Sequence, residues 1–175
     1  MDLAFIPECY VDTNLLETIA PFNGRYNHQK GCGTVAKVMQ ERFFDRFAVG
    51  IIDKDKQAVK YLDEFDLACS SGSLTLYKHG TRPHYMILIS PAMERFILRN
   101  AADAGVSLPE FGLPTDLPEL KKASKTVTSK NDPRFKGLFR SLIHKEAPEI
   151  MKLAAWIEYL RANTYQANMD EFGEL

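Results

Sequence analysis

Apolar residues along the first half of the chain alternate between strand-like runs and helix-like spacing. Residues 3–6 predict a short buried strand, and the apolar positions of residues 11–20 recur at the spacing of a helix. A shorter strand is predicted at residues 25–29, followed by a second amphipathic helix from Thr34. This helix leads into residues 47–52, whose unbroken apolarity is typical of a central parallel strand. The pattern indicates an α/β sheet.

Two more strands and a third helix are predicted after this central strand. The strands are expected at residues 74–77 and 85–89, with glycine- and proline-containing turns around them. A helix is expected over residues 90–104, with Ser90-Pro91 at its start and Gly105 after its end. His79 and His84 flank the turn between the strands, where such side chains are usually exposed to solvent.

The C-terminal part of the chain reads as helical. Helices are predicted at residues 133–144 and 147–162, and the apolar stripe of the second could dock on the sheet or form a homodimer interface. The predicted organisation is an α/β domain over residues 1–104, a linker or loop over 105–120, a helical extension packed on that domain over 121–163, and a tail over 164–175.

Composition limits the class of protein. The 175 residues are 45% hydrophobic and 26% charged with a net charge of −1, which indicates one globular domain and excludes a uniformly basic coating protein. The three cysteines, Cys9, Cys32 and Cys69, are too few and too widely spaced for a disulfide framework or a zinc knuckle. Neither a signal peptide nor a membrane-spanning stretch is recognised, so we expect a cytoplasmic protein with no membrane association.

Acidic residues follow two of the predicted strands. Glu8 follows the first strand, Asp12 lies one turn into the next helix, and Asp53 and Asp55 end the central strand. The carboxyl ends of neighbouring parallel strands meet at one edge of a sheet, so these carboxylates are expected to converge there. Clustered carboxylates are stabilised by a cation, and hard oxygen ligands suit Mg²⁺ or Mn²⁺. As an alternative, Asp-Lys-Asp-Lys is a solvated turn.

The order of these motifs resembles the Toprim domain. A strand ending in Glu8 with an acid four positions later, a glycine-rich turn at residues 31–34, and a hydrophobic strand ending in Asp53-x-Asp55 are similar to that family's pattern. The resemblance covers residues 3 to about 95. Toprim is the catalytic module of topoisomerases, primases, OLD-family nucleases and small RNA-maturation nucleases.

The resemblance implies a doubly wound, mainly parallel sheet that carries phosphodiester chemistry. It implies Glu8 as a general acid or base and Asp53 and Asp55 as carboxylates that hold Mg²⁺. In nuclease-like branches a later acidic residue often completes the site, and Glu94 is the candidate here, although a first-turn carboxylate also suits the helix dipole. Cys9 stands where Toprim domains usually have glycine. The implied metal-binding set is therefore Glu8, Asp12, Asp53, Asp55 and Glu94.

A basic stretch lies beyond the acidic residues. Residues 121–145 contain eight lysines or arginines against one acidic residue, a net charge of +7. Lys136 and Arg140 share one face of a predicted helix, and Lys125 and Arg134 precede them, so these four are candidates for binding DNA or RNA. A lysine-rich helix face that is only solvated is the alternative.

The expected function is that of a small magnesium-dependent nuclease, because topoisomerases and primases need domains for which this chain has no room. Three alternatives remain open. One is a Toprim-like scaffold or partner subunit without catalysis. Another is a phosphatase of the haloacid dehalogenase type, although Gln57 stands where that family has Thr or Val. The third is a nucleotide-sugar transferase or another nucleotidyl-handling enzyme that uses Asp-x-Asp with a metal.

Overall fold

A computed structural model of the chain describes residues 4–54 and 59–175. Within these residues, five strands form one sheet in the order β1-β2-β5-β4-β3. The strands are β1 (Phe5–Pro7), β2 (Ala48–Asp53), β3 (Phe65–Ser71), β4 (Leu74–His79) and β5 (His84–Ile89). The α/β class expected from the alternating pattern is confirmed.

The sheet is mixed rather than mainly parallel. The strands β1, β2 and β5 run parallel, whereas β4 pairs antiparallel with both β5 and β3. The reason is local, because β3 and β4 are joined by a two-residue turn whose Gly72 has a φ of 57°. A turn this short can connect only antiparallel neighbours. The parallel half of the sheet is the half that ends in the acidic residues.

Helices cover both faces of the sheet. They are α1 (Tyr10–Ile19), α2 (Cys32–Arg42), α3 (Met93–Asp103), α4 (Leu117–Ser124), α5 (Pro133–His144) and α6 (Pro148–Asn163). On one face, α2 packs its apolar residues against β2 and β5, whereas the other face carries α1, α3, α5 and α6 in a larger core. In the described part of the chain, no helix has the length and apolarity that crossing a membrane requires.

The segment of residues 25–29 lies beside β1 at the edge of the sheet. The Asn27 and Gln29 backbone N–H groups donate to the carbonyl oxygens of Phe5 and Pro7, each at 3.0 Å. Only Tyr26 forms a bridge there, so the expected short strand is reduced to an extended segment. It carries the chain from the end of α1 back towards Glu8.

The C-terminal residues pack against the body of the protein. The segment of residues 105–120, expected to be a linker, contains a 3-10 turn at Leu108–Phe111 and the start of α4. The segment of residues 164–175, expected to be a tail, buries the Phe172 ring completely, and the Trp156 Nε1–H donates to the Phe172 carbonyl at 3.2 Å. The C-terminal helices thus extend the same core that covers the sheet.

Candidate acidic site

Three carboxylates lie at or shortly after the ends of the three parallel strands. Glu8 comes directly after β1, Asp53 is the last residue of β2, and Glu94 is the second residue of α3, which follows β5. The Glu8 backbone N–H donates to the Ile51 carbonyl at 3.0 Å, which continues the β1–β2 pairing up to the acidic residue. Parallel strands therefore deliver all three side chains to one edge of the sheet.

Hydrogen bonds link these strand ends to each other. The Asp53 backbone N–H donates to Glu8 Oε2 at 3.0 Å, so the Glu8 side chain reaches across from β1 to β2. Asp53 Oδ1 accepts from the Met93 backbone N–H at 2.9 Å. Because the residue before α3, Ala92, has no side-chain acceptor, Asp53 caps this helix from a neighbouring strand. Glu8 and Asp53 are thus held in defined positions.

The helix α4 closes the acidic edge and brings cations to it. A cavity of about 170 Å³ is lined by Glu8, Cys9, Asp53, Ala92, Glu94, Lys121, Ser124 and Lys125. Ser124 Oγ donates to Glu94 Oε1 at 2.5 Å, and Glu94 is only 6% exposed. Lys121 and Lys125 lie four residues apart, so they share one face of the helix end. We call these lining residues the acidic cavity.

The carboxylates are close enough to affect one another's ionisation. Burial raises the pKa of Asp53, and the negative charges of Asp12, Glu8 and Glu94 raise it further, in that order. Ionised Asp53 is therefore unfavourable unless a positive charge lies nearby. The site therefore has the electrostatics that a bound cation would relieve.

Asp12 is held by Cys9 in a capping box at the start of α1. The Cys9 backbone N–H donates to Asp12 Oδ2 at 3.1 Å, and the Cys9 thiol donates to Asp12 Oδ1 at 2.8 Å. Burial chiefly raises the pKa of Asp12, which is 1% exposed. Burial and the Asp12 charge raise the pKa of the Cys9 thiol, so that the thiol stays protonated. Cys9, which stands where the Toprim resemblance would imply a glycine, is thus a helix cap.

The metal implied by the Toprim resemblance can be tested against the donors. Asp55, one of its implied ligands, lies outside the described residues. Among residues 4–54 and 59–175, no three His, Cys, Asp or Glu side chains form a ready-made metal-binding group. The donor chemistry of Glu8, Asp53 and Glu94 nevertheless fits Mg²⁺, which binds through one or two carboxylates and completes its coordination with water and phosphate oxygens.

The four basic residues expected to bind nucleic acid have different surroundings. Lys125 lines the acidic cavity. Arg134 pairs with Asp132 at 2.7 Å and also donates to the Gly112 carbonyl at 3.2 Å. On α5, Lys136 is half-buried and Arg140 is exposed. The opposite face of this helix is fully buried, as expected, through Phe135, Leu138, Phe139 and Leu142.

His79 and His84 are buried rather than exposed at the hairpin. The Tyr61 hydroxyl donates to His84 Nδ1 at 2.6 Å, so the protonated Nε2 donates to the Phe43 carbonyl at 2.9 Å. His79 Nδ1 accepts from two backbone N–H groups of the following turn, and its Nε2–H donates to Glu64 at 3.0 Å. Burial lowers the pKa of both rings, which are structural.

Lys121 and Ser124 were not among the sequence candidates for the acidic site. The spacing of Lys121 and Lys125 places them on one helical face, but it does not indicate which part of the protein this face contacts. Nothing in the sequence around Ser124 indicates its contact with Glu94.

Comparison with known proteins found no matching protein-family model, curated protein or solved structure.

Proposed function

We propose that the acidic cavity carries out magnesium- or manganese-dependent phosphodiester chemistry on nucleic acid, as a small Toprim-type nuclease. One observation carries the proposal: Glu8, Asp53 and Glu94 line a single cavity at the carboxyl edge of the sheet together with Lys121 and Lys125. Carboxylates alone would suit many cation sites. Two lysines in the same cavity add the charge that a phosphate group requires.

Glu8, Asp53 and Glu94 would hold the metal, with Asp55 as the further ligand that the resemblance implies. The bound ion would supply Lewis-acid polarisation of a phosphoryl oxygen. The backbone hydrogen bond to Glu8 Oε2 and the one accepted by Asp53 Oδ1 fix both carboxylates before any ligand arrives. Such fixed positions reduce the reorganisation required when the substrate binds.

The remaining roles belong to the protein's own side chains. Lys121 and Lys125 would bind the non-bridging oxygens of the scissile phosphate and offset the charge that develops on them. Glu8, besides holding the metal, would take the proton of the attacking water, since it is the cavity carboxylate that the resemblance assigns to acid–base work. The water oxygen would bond to phosphorus as the bond from phosphorus to the leaving strand's oxygen breaks, and that oxygen would take a proton from solvent. Ser124 positions Glu94 through the hydrogen bond to Oε1. Each role belongs to a residue that lines the same cavity.

A cleavage assay tests the proposal. Labelled single- and double-stranded DNA and RNA are incubated with Mg²⁺ or Mn²⁺, and products are separated on a denaturing gel. Glu8→Gln or Asp53→Asn is expected to reduce the rate by ~100-fold or more. Lys121→Ala combined with Lys125→Ala should also reduce it strongly. Cleavage that is unchanged in both carboxylate variants would refute the nuclease assignment.

Lys122→Ala is the matched control for the lysine variants. Lys122 is exposed on the same helix and pairs with Glu119 at 2.6 Å, outside the acidic cavity. Its removal should leave the cleavage rate unchanged. Turnover of phosphate monoesters without strand cleavage would instead favour the phosphatase alternative.

A non-catalytic binding or scaffold protein is the second candidate. The observation that favours it is that Asp12, Asp53 and Glu94 all accept hydrogen bonds from within the protein. In that case the carboxylates would serve as helix caps and links between elements rather than as metal ligands. This candidate predicts no cleavage of any strand and no effect of Mn²⁺ on the protein's stability.

A further inference from the structure

We propose that the substrate strand leaves the acidic cavity along a path formed by Tyr10, His28, Lys130 and Arg25, and that the protein selects single-stranded nucleic acid there. This inference rests on the proposed function, because the path begins at the cavity where the chemistry is placed. It names the substrate class, which the acidic cavity by itself does not determine. None of the four residues belongs to the cavity.

The path starts with a stacked pair of rings next to the cavity. Tyr10 directly follows Cys9, which lines the acidic cavity, and its ring lies on the His28 ring with centroids 4.2 Å apart and planes at 20°. His28 Nδ1 is 3.1 Å from Thr13 Oγ1, which fixes the ring against α1. Both rings are half-buried, so the pair is partly accessible. Flat aromatic faces of this kind stack with unpaired bases.

A lysine continues the path beyond the rings. Lys130 lies in the 3-10 turn Val127–Asn131, which packs against α1, the helix that begins with Tyr10. Burial, and to a smaller extent the charge of Lys130, lower the pKa of His28. The turn that carries Lys130 is fixed on α1, because Asn14 Nδ2 donates to the Ser129 carbonyl at 2.8 Å. Lys130 also lines the groove in which the path ends.

The path ends in a groove of about 410 Å³ on the side of β1. Arg25, Lys130 and Asn131 line it together with Phe22 and Tyr26. The half-buried Phe22 ring packs edge to face on the buried Tyr26 ring with centroids 5.0 Å apart, which holds Phe22 in place. Within the described residues, neither Arg25 nor Lys130 forms an ion pair. Glu17 is the acidic residue of the groove.

The combination of rings and cations points to a single strand rather than to a duplex. Base-paired nucleic acid presents phosphates to a protein but keeps its base faces stacked inside the helix. A path with an aromatic pair between cations can bind phosphates and base faces together, which only an unpaired strand offers. The acidic cavity would then cleave a single strand that is bound in the groove beside β1.

Fluorescence anisotropy tests the path separately from cleavage. Binding of a labelled 20-nucleotide oligothymidylate, the matching oligouridylate and a 20-base-pair duplex is measured with Ca²⁺ at several salt concentrations, and intact strands are verified on a gel. We expect both single strands to bind more tightly than the duplex. Lys130→Glu and Arg25→Glu should each weaken single-strand binding roughly tenfold and flatten its salt dependence. The ratio of the affinities for the two single strands shows whether the protein prefers DNA or RNA.

Lys37→Glu is the matched control, because it reverses the same charge on an exposed residue of α2, on the opposite face of the sheet. It should bind like the wild type. A 5-bromouridine strand crosslinked to the unmodified protein should attach to Tyr10 or His28, which avoids any variant that fails to fold. Tighter binding of the duplex, wild-type affinity of Lys130→Glu and Arg25→Glu, or crosslinks confined to other segments would each overturn the proposal.

The two proposals fail in different ways. If Lys130→Glu loses binding but the wild-type protein cleaves no strand with any metal, the nuclease assignment is wrong and the binding path stands. If the wild-type protein cleaves and Lys130→Glu binds and cleaves like it, the nuclease assignment stands and the path is wrong.

Discussion

Replacing Asp53 by asparagine is expected to stabilise the metal-free protein while it removes the activity. In the folded protein, burial and the neighbouring carboxylates raise the pKa of Asp53 above its value in the unfolded chain. Below the unfolded pKa the carboxyl is neutral in both states and causes no penalty. As the pH rises above that value, the unfolded state gains stability by ionising, and the folded state loses stability until the pH passes the folded pKa.

The size of the effect follows from this linkage. Each unit of pKa shift corresponds to about 1.4 kcal/mol, and the partial exposure of the site reduces the penalty, so we expect Asp53→Asn to gain roughly 1–3 kcal/mol at pH 7. The asparagine oxygen can still accept from the Met93 backbone N–H, so the helix cap is retained. Asp53→Ala loses that acceptor and should be ~1 kcal/mol less stable than Asp53→Asn.

Urea unfolding in EDTA measures these differences directly. Asp45→Asn is the control, because Asp45 is exposed and precedes β2, at the opposite end of the strand from the acidic cavity. It should change the free energy of unfolding by less than ~0.5 kcal/mol. The gain of Asp53→Asn should shrink as the pH falls and disappear below about pH 3, where the unfolded carboxyl is also protonated. Equal or lower stability of Asp53→Asn at pH 7 would refute the electrostatic reasoning.

Three further predictions concern the supporting structure. Cys9→Ala removes the side-chain cap shared with Asp12 and should destabilise the protein by about 1 kcal/mol in urea unfolding, whereas Cys9→Ser should retain most of that energy. Phe172→Ala should cost roughly 3–5 kcal/mol in the same assay, because the ring is buried against Trp156; a loss below ~1 kcal/mol would mean that the C-terminal segment does not pack. Burial lowers the pKa of His84, so stability should fall as the pH drops below about 6.5 and the unfolded chain takes up the proton; His84→Gln should flatten this dependence, and equal pH profiles would contradict it.

The sequence predicted the parallel half of the sheet well because its strands are buried on both faces. Their apolar runs carry a signal that needs no tertiary context, as the almost fully buried strand β2 illustrates. The strand β3 was not predicted, because it lies at the edge of the sheet and its residues are mostly exposed or half-buried. Such a strand has neither an apolar run nor clean alternation.

The acidic site was predicted only as far as strand order could predict it. Strand ends indicated that Glu8 and Asp53 would meet, and the hydrogen bond from the Asp53 backbone to Glu8 shows this contact. The positions of Lys121 and Ser124 beside the carboxylates depend on the packing of α4 against α3. No local sequence pattern encodes this packing. The buried histidines show the same limit, since the hydrogen bonds of His84 come from segments 23 and 41 residues away.

Calorimetric titration with Mn²⁺ at pH 7 is the decisive test of metal binding in the acidic cavity. We expect the wild-type protein to bind Mn²⁺, Asp53→Asn and Glu8→Gln to lose this binding, and Asp45→Asn to bind like the wild type. Absence of Mn²⁺ binding by the folded wild-type protein, or equal binding by Asp53→Asn and Glu8→Gln, would contradict the assignment of the acidic cavity as a metal-dependent phosphodiester site.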